Sequence, residues 1–291
     1  MSTAFLVYRR WIRDRRLSTI SWTLGLVVIV VATAAFYPSL SSASSSLTDG
    51  SGTPSGGGSE AMSSMLGLSA GIDLNTPLGY LWIGLYANVL PWTLMALGVA
   101  LGTAAIAGDE ETGALEYLLS GPATRTQAAF ARFAGAASIL LLVSFVAGLS
   151  LVLSMPLFDL GDSVTTTAAD GTTSTAPGAS VGDIAAGTFS SFAVALGLCG
   201  VAFLIGGATG RRGITLGGAS AIGIGGYVLY TLSSMTNSLE ALTWASPWRW
   251  YVDDVMLING LTWNVALPFI TAAVGLLVGW QAFLHRDLRS T

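Results

Sequence analysis

Asp109-Glu110-Glu111-Thr112-Gly113-Ala114-Leu115-Glu116-Tyr117-Leu118-Leu119-Ser120-Gly121-Pro122-Ala123-Thr124-Arg125 lies between two long stretches that contain no acidic residue. Those stretches are apolar enough to sit in a bilayer, so a short charged segment between them is directed out of the membrane. Asp109 suits the N-cap of a helix from about Glu110 to Ser120, with Glu110 and Glu111 in the first turn, where the positive helix end favours acids. Leu115, Leu118 and Leu119, with Tyr117 alongside, give an apolar face at i, i+3, i+4 spacing. Gly121-Pro122 stops the helix. About three turns are too few to be stable alone, so the leucine face needs a partner. A helix resting on lipid is the plain alternative, but four acids against an anionic leaflet disfavour it. The segment reads as a docking element for a protein.

Composition sets the surroundings. Hydrophobic residues make up 52% of the chain and charged residues 10%, with a mean hydropathy of +0.68. A soluble domain carries roughly a quarter charged residues, so this chain cannot cover a globule with polar surface. Its 291 residues form one membrane domain. Runs of roughly 20 apolar residues cross the hydrocarbon core as helices. Six are present: Ser18–Leu40, Leu78–Ala107, Ala128–Ser154, Asp183–Thr209, Ile214–Thr236 and Asn264–Leu284. They are continuous rather than alternating, which requires helices and excludes a barrel. The expected fold is an all-α integral membrane protein with an N-terminal interfacial helix and a short cytoplasmic coupling helix.

The chain has no lysine, so all 12 basic residues are arginine. Arg9, Arg10, Arg13, Arg15 and Arg16 precede the first span, and Arg125 and Arg132 flank the insert. Arg211 and Arg212 separate spans four and five, while Arg286 and Arg289 follow span six. Only Arg249 has the other parity. By the positive-inside rule both termini and the insert are cytoplasmic. Acids such as Asp159, Asp162, Asp253 and Asp254 then face outward, and the net charge of −4 argues against nucleic acid. Arginine without lysine suggests a GC-rich prokaryotic genome, hence a prokaryotic plasma membrane.

Residues 1–17 place Phe5, Leu6, Trp11 and Ile12 among arginines, as in a helix lying in the interface with Arg9, Arg10, Arg13 and Arg16 toward headgroups. A plain topogenic charge cluster is the alternative. Residues 41–77 and 155–182 are outer loops. Ser41–Glu60 and Val164–Ser180 are rich in Ser, Thr and Gly and read as disordered, and Ala61–Ala70 as a short helix. Residues 237–263 gather Trp244, Trp248, Arg249, Trp250 and Tyr251. Aromatic rings suit the headgroup layer; an outer gate, with Arg249 on an anionic headgroup, is the sharper reading. Pro91 predicts a kink in span two. Gly206–Gly210 and Gly213–Gly217 carry the spacing that lets helices approach closely, within the bundle in preference to between subunits.

What is missing narrows the function. No span has an Asp, Glu, Lys or His at its middle, which disfavours an ion- or proton-driven carrier. Without lysine a Walker A loop cannot form, so the chain is no P-loop ATPase. The single histidine, His285, cannot build an H-E-x-x-H metal site and has no G-x-S-x-G partner. Cys199, the one cysteine, lies in mid-span as a small core residue. No cleavable signal peptide is apparent.

The run Ala107–Arg125 closely resembles the cytoplasmic coupling segment of type-2 ABC transporter permeases, whose pattern is small-x-acidic-acidic-x-Gly-x-Leu-Glu-x-Leu-Leu-x-x-Pro-x-x-Arg. The Arg-rich start, six spans, Ser246-Pro247-Trp248 and Arg286-Asp287-Leu288 extend the resemblance over the chain. The long Ser/Thr/Gly outer loops depart from it. The resemblance implies a permease half that pairs with a second half, as homodimer or heterodimer, and binds two separate ATPase subunits. Residues 108–127, with Asp109, Glu110, Glu111, Leu115, Glu116, Leu118, Leu119 and Arg125, would then dock in a groove of the ATPase. It implies no cofactor in this chain, ATP and Mg being held by the partner, and efflux of an apolar or amphipathic cargo such as a drug or lipid. A non-transporting membrane scaffold that recruits a cytoplasmic partner is the competing function.

Overall fold

The computed structural model describes residues 3–48, 76–167, 173–233 and 242–286. The expected outer helix Ala61–Ala70, most of the Ser41–Glu60 tract and Asp287-Leu288 lie outside them.

Six helices among the described residues are long and apolar enough to cross a membrane: Arg16–Ser39, Pro77–Glu111, Arg125–Leu157, Val181–Thr209, Arg212–Ser233 and Trp263–His285. Each coincides with an apolar run of the sequence, so the chain is an all-α membrane protein. Helix α1 (Thr3–Asp14) precedes the first span, and α2 (Arg16–Thr48) continues past that span's expected end.

The second span is broken twice. It comprises α3 (Pro77–Leu81), a wide π turn (Trp82–Tyr86), α4 (Val89–Thr103), a second π turn (Ala104–Gly108) and a last helical turn, α5 (Asp109–Glu111). Pro91 lacks an N–H and disturbs the ladder before it. There the Ala87 N–H reaches back to Trp82 O, and the Asn88 side chain donates to Ile83 O at 3.0 Å. The polar group freed by the register slip is thereby satisfied inside the apolar bundle.

After the insert, α6 (Ala114–Leu119) leads into α7 (Arg125–Ser154), the third span, which Thr124 and Gln127 start with a capping box. Strands β1 (Val164–Thr167) and β2 (Thr173–Ala176) pair antiparallel, Val164 opposite Ala176. This corrects the expectation of disorder for the described part of Val164–Ser180. β-Branched threonines favour extended pairing even where little apolar area is available. Ser180 and Asp183 form a second capping box at the start of α8 (Val181–Thr209), the fourth span.

α8 is the axis of the bundle. It packs on α4, on α7, on α9 (Arg212–Ser233) and on the sixth span, α12 (Ala266–His285), with α10 (Pro247–Val252) and α11 (Met256–Asn259) between the last two spans. Backbone contact explains the closeness. A methyl at Gly102 would overlap the Cys199 carbonyl, and one at Gly275 would overlap Gly200. Gly213 and Gly217 behave otherwise: no described atom approaches their Cβ positions within 4 Å. α2 and α9 are peripheral, with Leu24, Val28, Phe36, Ile222 and Ile224 exposed.

Candidate functional site

The acidic insert is built differently from a free-standing helix capped by Asp109. Asp109, Glu110 and Glu111 form the last turn of the second span's helix. Gly113, left-handed at φ 72°, ends that helix with its N–H on Glu110 O, and α6 begins only at Ala114. The acids therefore stand at a negative helix end, which disfavours them. Arginines from elsewhere in the chain compensate.

Asp109 binds two of them. Its Oδ1 accepts from Arg15 Nη2 at 3.0 Å, and its Oδ2 lies 3.2 Å from Arg132 Nη2. The same guanidiniums donate to the Ala104 and Ala105 carbonyls of the adjoining π turn, at 3.3 and 3.1 Å. Glu110 is 3% exposed and forms a two-point pair with Arg286, whose Nη1 lies 2.9 Å from Oε1. Arg286 Nε also donates to Gly207 O at 3.2 Å, at the end of α8. Glu111 Oε1 accepts from the Arg212 N–H at 2.9 Å, at the positive end of α9. Three successive acids thus hold the turn between α1 and α2 together with α7, then the end of α12 with α8, then α9.

The leucine face turns inward as well. Leu115 is buried in the main core and Leu119 packs against it, while Leu118 joins Val7, Tyr8, Ala123 and Ala131. The partner that so short a helix requires is supplied by its own chain. Arg125 caps the sixth span, its Nη1 donating to Arg286 O at 2.8 Å and to Phe283 O at 3.3 Å. What remains in the open is Glu111, Thr112, Ala114, Tyr117 and Ser120 to Pro122, with Glu116 half-buried. Tyr117 is 73% exposed, and the Arg10 guanidinium stands 6.0 Å from its ring centre.

Arg9, Arg10 and Arg13 on α1 and Arg16 at the start of α2 are exposed, whereas Val7 and Trp11 of α1 are buried. The arginine that reaches the insert is Arg15, stacked 3.9 Å above the Trp11 ring. Arg15, Arg132 and Arg286 escaped the sequence reading because the residues they pair with are distant along the chain. The one signal was Arg132, a charge inside an otherwise apolar span.

Residues 7–288 match the family described as ABC-2 family transporter protein. The chain belongs to that family. No curated protein matches it. Members of the ABC-2 family are membrane transport subunits that normally pair with an ATP-binding subunit.

At the opposite end of the ABC-2 bundle, α10 divides the aromatic candidates. Trp248 and Tyr251 are fully buried, Trp244 is 50% exposed and Trp250 is intermediate. Trp248 packs against Trp92, tilted with ring centres 4.7 Å apart, and edge-on against Tyr227 at 5.1 Å, and its Nε1 donates to Gly223 O at 3.0 Å. Tyr251 donates to Tyr86 O at 2.6 Å and shares a hydrogen bond with Ser191. Arg249 lies 4.4 Å over the Trp244 ring, hydrogen-bonds Thr243 and stands 3.5 Å from Asp253. Trp244 and Trp250 keep part of their surface accessible. The others seat a short hairpin inside the bundle. Among the described residues no group of His, Cys, Asp and Glu is arranged to hold a metal.

Proposed function

We propose that this chain is one permease half of an ATP-driven exporter. It would pair with a second half, identical or related, and take its energy from separate ATPase subunits that bind ATP and Mg. In this reading the insert and both termini lie on the cytoplasmic side of a prokaryotic plasma membrane, where the arginine distribution favours them. The cargo is apolar or amphipathic, because the spans carry no charge at their middle.

The observation that carries the proposal is the way Asp109, Glu110 and Glu111 grip separate spans while Tyr117 and Gly121-Pro122 stay open. A push on the open face moves α5 and α6 together; the ion pairs of Asp109 and Glu110 pass that displacement to the turn after α1, to α7 and to the end of α12, and the Glu111 hydrogen bond passes it to α9. The docking contact is the exposed face; the paired acids connect it to the bundle. Packed, paired elements transmit displacement because they are close-packed and low in compressibility.

Copurification with candidate ATP-binding subunits from the same genome, followed by hydrolysis assays in proteoliposomes, tests the reading. The wild-type chain stimulates hydrolysis, and Tyr117→Ser reduces stimulation at least about tenfold with the folded state intact, since Tyr117 is an exposed anchor of the type that dominates interfaces. Stimulation that is absent for the wild type, or unchanged in the variant, overturns it.

A further inference from the structure

The structure assigns a second binding site: a slot between α7 and α8, in the half of the bundle remote from the insert, for a neutral, membrane-dissolved molecule bearing a ring and one hydrogen-bonding oxygen. Its volume is about 560 Å³, within the range of small-molecule pockets. It extends along α7 from Leu141 to Val152, roughly 16 Å at the helical rise per residue.

Three features define the occupant. No charged side chain lines the slot, so the ligand is neutral. Phe145, Phe189 and Phe192 form much of the wall, which suits a ring. Phe145 and Leu149 are exposed on the bundle's flank, so entry is from the bilayer and not from water.

The remaining feature is Ser144. On the same helix Ser138, Ser150 and Ser154 each return their hydroxyl to a carbonyl of their own helix at 2.8 Å. Ser144, 2% exposed and lining the slot, has no partner for its Oγ. A buried hydroxyl without a partner is costly, and an oxygen on a ligand satisfies it. The neighbouring hydroxyl, Thr188, is already engaged with Tyr86 at 2.9 Å. The slot therefore offers one hydrogen bond.

The site goes beyond the transport reading, and its test uses neither ATP nor ATPase, so failure of one leaves the other standing. The full chain in phospholipid nanodiscs is photolabelled with a diazirine-bearing dialkylphenol, in competition with the unlabelled phenol or with the matching alkylbenzene. Adducts are expected on Phe145, Leu149 and Phe189. Ala185→Trp, at an exposed position of the wall, removes them by filling the slot. Ser144→Ala weakens competition by the phenol about fivefold, the worth of one hydrogen bond, and leaves the alkylbenzene unchanged. Labelling spread evenly over α2 and α9 and insensitive to Ala185→Trp overturns the assignment, because the flank is then ordinary lipid-facing surface. Crosslinks between two copies through this face overturn it equally.

Discussion

Glu110 holds a carboxylate almost wholly out of water at the negative end of a helix, and Arg286 gives it a two-point partner. Removing one member of a buried pair strands the other's charge, at a cost of about 3–5 kcal/mol. Arg286→Ala should be the more damaging single change, because it leaves Glu110 buried against an unfavourable helix dipole. Glu110→Ala also relieves that dipole penalty, and the double variant should lose less stability than the two singles added together. Thermal unfolding of the purified chain in one detergent checks both the order and the coupling. Asp253 gives a pH test. Burial holds its carboxyl above the usual carboxylate range, against the lowering effects of the Tyr230 hydroxyl at 2.8 Å and the Arg249 guanidinium, while Asp254 adds to the rise. A raised folded value means that the folded state binds the proton more tightly. Stability contributed here is therefore present in acid and declines as pH rises past the unfolded carboxylate value. Unfolding temperatures measured from about pH 4 to pH 7 should fall less steeply in Asp253→Asn than in the wild type. The carboxylates themselves were plain in the sequence; their inward direction was not. That direction depends on Arg15, Arg132 and Arg286, which no local spacing ties to the residues they bind.

Elements were legible where one physical quantity decides them. Length and apolarity alone set the six spans, and Pro91 marked the disturbed stretch of the second. The start of the insert was misread because Asp109-Glu110-Glu111 has the composition of a first turn, while Thr112-Gly113 is the stop signal of the helix before it. Of the two glycine pairs, Gly213–Gly217 was misassigned for a related reason: spacing shows which faces are smooth, but not which helix lies against them. Gly98 and Gly102 of α4 meet the backbone of α8, Gly206 lies by Ala107 and Thr215, and Gly213 and Gly217 meet no described atom. Gly102 and Gly217 should respond in opposite directions. Gly102→Ala places a methyl on the Cys199 carbonyl and should cost about 1–3 kcal/mol or more through overpacking. Gly217→Ala enters open space inside a helix and should gain up to about 1 kcal/mol from helix propensity. Parallel melts of the two variants check the contrast, and a Gly217→Ala chain as damaged as Gly102→Ala would place a contact on α9 that the isolated chain lacks.

At the scale of the whole molecule, one end of the bundle is knotted by ion pairs and the other is filled by aromatic rings. Arg15, Arg132 and Arg286 gather around the insert, while Trp92, Tyr227, Trp248 and Tyr251 close the far end without a charge at their centre. The asymmetry fits the transport reading, in which a driving partner engages the end where the ion pairs join the spans. It also makes orientation measurable without ambiguity. Cys199 is completely buried, so the native chain offers no accessible thiol among the described residues. Ser120 is exposed on the insert, and Ser163 is exposed beside the β ribbon at the opposite end. A membrane-impermeant maleimide applied to intact cells should label Ser163→Cys and spare Ser120→Cys, which becomes reactive only after permeabilisation. The reverse pattern would put Tyr117 and the open face of the insert outside the cell, beyond the reach of any ATP-hydrolysing subunit, and a bundle gripped at that end could not be driven from within.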